Sequence, residues 1–157
     1  MATRLVKELR YDAGAEAVHA MLMDPAFRER VLASQRVLRG SVSVAGERVE
    51  IEQVLAADGI PPFARKFVGE EIVIHQREEW RTPTAAEVQV RIPGRPGDIV
   101  GTATLAESDG STVERVDLEI RVSIPLVGGK IEALVGDLLG KALGKEHETG
   151  VAWLAGR

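Results

Sequence analysis

Residues 71–80 read "EIVIHQREEW". Along an extended chain, successive side chains point to opposite faces. Ile72, Ile74 and Trp80 therefore share a face with Gln76 and Glu78, while Val73, His75, Arg77 and Glu79 take the other. The same alternation over 48–55 sets Gln53 beside Val49, Ile51 and Leu55. Over 3–11 it sets Lys7 beside Leu5, Leu9 and Tyr11. Lys7, Tyr11, Gln53, Gln76 and Glu78 are thus candidate polar groups on an otherwise apolar wall. An unpaired carboxylate in that setting must take up a proton or find a partner. Two readings stand for these groups. Either they orient a ligand inside a pocket, or they sit in water at a rim, where alternation decays toward strand ends. As acid, base or orienting groups, Glu78, Gln76 and Tyr11 are the ones an enzyme could use, but no residue is fixed as catalytic by the sequence.

Other chemistry is missing. There are no cysteines, which removes disulfides, thiolate nucleophiles and thiolate metal sites and suits a reducing cytoplasm. His19, His75 and His147 fall on different elements with no metal-ligand spacing, so no metal is expected. No nucleophile elbow, phosphate loop or dinucleotide fingerprint occurs, and "GKALGKEHETG" lacks both the Lys-Ser/Thr ending and the preceding strand of a phosphate loop. No cofactor is expected. The net charge of −4 and the scatter of Lys and Arg speak against a nucleic-acid partner. No run approaches the roughly 20 apolar residues of a membrane span, and "MATRLVKELRY" is no signal peptide.

The elements that must hold these groups can be read from periodicity and turn chemistry. The 157 residues, 45% hydrophobic and 28% charged, suit one globular domain over 1–157. A strand over 3–11 is followed by two short helices in "DAGAEAVHAMLMDPAFRERVLAS". Asp12 is placed to cap the first, and Asp24-Pro25 ends it and opens the second. Six strands are expected over 36–45, 48–56, 70–81, 85–93, 98–107 and 112–124, joined by hairpin-length connections such as "AGE" and "SDGS" and therefore antiparallel. In the last of these Val116, Leu118, Ile120, Val122 and Ile124 face inward. Pro125 ends the ladder and Gly128-Gly129 turns the chain. Ile131, Leu134, Val135, Leu138, Leu139, Ala142 and Leu143 then form a helical stripe. A helix from about 129 to 154 is roughly 39 Å long, enough to cover a seven-stranded sheet. Gly136, Gly140 and Gly144 recur every four residues in it; the plainer account is close packing of the helix, the other an easily displaced helix.

This order resembles the helix-grip fold of the START/SRPBCC superfamily, an α+β fold in which a seven-stranded curved antiparallel sheet wraps around a long C-terminal helix. "MLMDPAFRERVLA", "PPFARKFVGE" and "VSIPLVGGKIE" further resemble the bacterial domain of unknown function 2505. The resemblance implies a cavity between sheet and helix that holds a hydrophobic, lipid-like small molecule. Its expected wall comprises Phe63, Phe67, Ile74, Trp80, Val90, Gly101, Ala103, Leu118, Ile120, Leu134 and Leu138. Gly101 and Ala103 are small and leave room beneath the helix. Phe63 and Phe67, four apart, serve either as a gate over the mouth or as a staple of their loop to the core. The resemblance leaves three functions open: a carrier, a polyketide cyclase or aromatase-type enzyme, and a protein-interaction module without ligand.

Overall fold

The computed structural model describes residues 2–156. Strand β1 (Thr3–Tyr11) leads into helices α1 (Ala15–Leu22) and α2 (Pro25–Ser34). Strands β2 (Arg39–Ala45) and β3 (Arg48–Ala56) follow, then a 3-10 turn (Ala57–Gly59) and the single-turn helix α3 (Pro62–Arg65). Strands β4 (Glu71–Thr82), β5 (Ala85–Arg91), β6 (Asp98–Ser108) and β7 (Ser111–Arg121) complete the sheet, and α4 (Gly128–Leu154) ends the fold. The seven strands form one sheet in the order β1-β7-β6-β5-β4-β3-β2, antiparallel throughout. This is the α+β helix-grip architecture.

Local chemistry explains most boundaries. Asp24 caps α2 by accepting a hydrogen bond from the Ala26 amide (2.9 Å), with Pro25 in the first turn, where its missing N–H costs nothing. Asp109 and Gly110 both take positive φ, so a two-residue turn joins β6 to β7 with Ser108 opposite Ser111. Several expectations need correction. Strand β2 begins at Arg39, not at residue 36, since Arg36 takes a positive φ, and β5 ends at Arg91, not at residue 93. Gly14, not Asp12, occupies the N-cap of α1, while Asp12 accepts from the Ser111 hydroxyl instead. Strand β7 ends at Arg121, not at residue 124, because its neighbours run out: Thr3 of β1 pairs with Ile120 and Asp98 of β6 with Arg121. The next amide, Val122, donates to Glu132 of α4 (2.9 Å), and Thr3 donates to the same carboxylate. Helix α4 is thereby pinned to the sheet at its first turns.

The packed core lies at the other end, where Leu9, Tyr11, Val18, Met21, Leu22, Phe27 and Trp80 are all buried. Helix α4 packs chiefly on β1, β7, α1 and α2. None of its stripe residues from Ile131 to Leu143 is fully buried. A helix covering a sheet should lose that face from solvent; here Val135, Leu139 and Leu143 touch the core while the stripe also borders a void.

Candidate functional site

The void is a cavity of about 810 Å³ between α4, α2 and the inner face of β3–β7, within the ~300–1,000 Å³ of small-molecule sites. Its wall is mainly aliphatic, with Ile51, Val88, Ile99 and Val116 contributed by four strands. Of the expected wall, Phe67, Ile74, Val90, Ala103, Leu118, Ile120, Leu134 and Leu138 line it, together with Gln53, Gln76 and Glu78. Phe67 and Val68 line the cavity too, as does the exposed loop Arg95–Asp98.

Five expected residues lie elsewhere. Lys7 is spent on α4, donating to the carbonyl of Gly140 (2.9 Å). Phe63 turns to solvent from the short α3 while Phe67 turns in. Gly101 does not make room in the cavity: a Cβ there would strike the carbonyl oxygen of Asp117, so glycine answers a close approach to β7. Trp80 and Tyr11 stand behind the wall, 2% and 1% exposed.

What Trp80 backs is the polar end of the cavity. Arg28 of α2, 3% exposed, reaches inward between sheet and helix. Its Nη2 donates to Glu78 of β4 (2.8 Å), its Nη1 to Glu146 of α4 (3.1 Å) and its Nε to the carbonyl of Leu22 (2.8 Å). Glu78 is further fixed by the Trp80 indole N–H (3.1 Å) and the Gln76 amide (2.7 Å). Glu114 of β7 is buried beside them and also lines the cavity. Burial opposes the charge of Arg28, but Glu78, Glu146 and Glu114 outweigh it and raise its pKa. Burial, followed by the charges of Glu146 and Glu78, pushes Glu114 well above the usual carboxylate range despite Arg28. Glu146 is pushed up too, by burial against the pull of Arg28, with Glu78 adding to the rise. The Tyr11 phenol is held neutral by burial and by the nearby Glu146 and Glu114.

Arg28, Glu114 and Glu146 are the site residues missed by the sequence reading. Each carried a signal. Glu114 has the parity of Val116, Arg28 lies three and four residues before the buried Val31 and Leu32, and Glu146 continues the stripe of Ala142 and Leu143. Among the described residues no group of His, Asp or Glu could hold a metal ion, and no helix is long and apolar enough to cross a membrane.

The family model for the protein of unknown function DUF2505 matches residues 7–154. The chain belongs to the DUF2505 family. An uncharacterized protein of Mycobacterium tuberculosis is 24% identical over 92% of both chains. Among solved structures, a protein from Thermus thermophilus superimposes with a TM-score of 0.67 at 20% identity, covering 96% of this chain and 98% of that one. The Zhui aromatase/cyclase from a Streptomyces species gives 0.69 at 10% identity, covering 97% and 93%. A START superfamily protein from Mycobacterium smegmatis gives 0.61 at 15%, covering 96% and 98%. These DUF2505 residues are therefore laid on a START-like fold.

Proposed function

We propose that this DUF2505 protein binds, and carries or sequesters, a lipid-like apolar small molecule in the cavity beneath α4, as a cytoplasmic module with no nucleic-acid partner. The observation that carries the reading is the aliphatic cavity of about 810 Å³ under a helix whose apolar stripe lines it and is nowhere fully buried. Leaving that much apolar wall unfilled forfeits packing, and an apolar ligand restores it.

A second reading, a polyketide cyclase or aromatase-type enzyme, draws support from the buried Arg28–Glu78–Glu114–Glu146 cluster, since a proton donor with a raised pKa inside a cavity is what such chemistry needs. Glu78 and Gln76 keep their place in that reading. Tyr11 does not line the cavity and would act only from behind the wall.

The test is displacement of cavity space. An uncharged fluorophore such as N-phenyl-1-naphthylamine should bind with enhanced emission, and Leu134→Trp, which puts an indole into the void, should abolish that binding. Arg81→Ala on the exposed outer face should leave it unchanged. Equal binding by the wild type and Leu134→Trp would remove the cavity from consideration.

A further inference from the structure

At the polar end of the cavity the charges do not balance. Arg28 brings one positive charge to three buried carboxyl groups, Glu78, Glu114 and Glu146. Its guanidinium hydrogen bonds go to Glu78, Glu146 and the Leu22 carbonyl. Glu114 stands between Leu9 of β1 and Leu105 of β6, its register neighbours, both buried. Its Oε1 is buried without a hydrogen-bond partner, as is the hydroxyl of Tyr11, which brings no charge. An ionised Glu114 would place a further negative charge beside two carboxylates, flanked by leucine. A protonated one avoids that cost and gains one O–H to give.

We propose that Glu114 presents a neutral carboxylic acid to the cavity as a hydrogen-bond donor, and that the ligand carries an uncharged acceptor, a ketone, aldehyde or ester carbonyl, at that end of an apolar body. The inference rests on the cavity being a ligand site. The two charged alternatives fit poorly. A carboxylate head would add a negative charge beside Glu78 and Glu146, which already share the one positive charge of Arg28. An ammonium head would have to be stripped of water to reach the buried cluster, a cost that an uncharged carbonyl does not meet.

The experiment compares four probes with the same undecyl chain, a methyl ketone, the alkane, the carboxylate and the primary amine, each displacing N-phenyl-1-naphthylamine from the full chain at neutral pH. The ketone should bind about tenfold more tightly than the alkane, the worth of one hydrogen bond made out of water, and ahead of both charged probes. Glu114→Gln, which keeps an uncharged donor, should retain that preference. Glu114→Val should bring the ketone level with the alkane while alkane binding persists, which also shows that the variant is folded. Tighter binding of the carboxylate or amine to the wild type, or a ketone preference that survives in Glu114→Val, overturns the proposal. Equal binding of all four probes overturns it while leaving the cavity reading in place. If neither fluorophore nor probes bind, the cavity reading falls and this inference with it.

Discussion

Glu114 and Arg28 are the residues on which stability and binding meet. A carboxyl group whose pKa is raised on folding contributes stability that is complete below the ordinary value of about 4.3 and is lost as pH rises through the raised value. Glu114 and Glu146 both shift in that direction, facing Arg28, Glu78 and Tyr11. The melting temperature should therefore fall as pH rises above about 4.3, and Glu114→Gln should flatten the fall, gaining roughly 2–4 °C on its alkaline side for each kcal/mol relieved. A thermal melt series across pH checks this; a melting profile that Glu114→Gln leaves unaltered would contradict it. Removing Arg28 should do the opposite. Arg28→Ala leaves buried carboxylates without their cation and should cost about 3–5 kcal/mol in urea unfolding. The exposed pair Arg81–Glu87, with both partners more than half exposed, should by contrast contribute little, because water screens it. Alternation along a strand makes Gln76 and Glu78 legible without coordinates and reaches Glu114 as well. Arg28 and Glu146 are harder, because "RER" and "KEHE" read as solvated helix faces. Only the sheet and α4, distant in sequence, turn them inward.

At the scale of elements, α4 shows how spacing can mislead. Gly136, Gly140 and Gly144 suggest close packing, yet a Cβ at 140 would meet nothing within 4 Å, and those at 136 and 144 only ordinary contacts near 3.6 and 3.7 Å. The stripe lies over the gap beside β1 that Lys7 spans. The helix is instead tight at its ends. A Cβ at 128 would strike the carbonyl of Val122, and one at 150 would sit 2.7 Å from Cε1 of Tyr11 and 3.1 Å from Cε of Met21. Gly140→Ala should therefore stabilise the protein by up to about 1 kcal/mol, the helix-propensity difference. Gly150→Ala should destabilise it, since Tyr11 is locked in the core. Opposite signs in parallel urea titrations are the expected result; the same sign for both would refute this account of the helix. Turn chemistry and alternation make the element order legible. The end of β7 is not, because it depends on where β1 and β6 stop.

For the whole molecule, the uneven packing of the two ends of the sheet has a dynamic consequence. The α1–α2 end of the sheet is packed, and the end holding α3 and the Arg95–Asp98 loop is open to solvent. Hydrogen exchange should therefore be fastest over 58–70 and slow in β6 and β7, with protection of 58–70 rising when a ligand fills the cavity. Protection there equal to the sheet's would tie Phe67 to a static staple rather than a gate. That a cavity exists is legible only through family resemblance, since periodicity cannot tell a helix resting on side chains from one spanning a void. The measurement that bears most directly on the central claim is native mass spectrometry of the purified protein, followed by denaturing extraction. The account predicts a stoichiometric adduct, lost on denaturation and apolar with an uncharged carbonyl. A bare chain that also takes up none of the ketone, alkane, carboxylate or amine probes would contradict it.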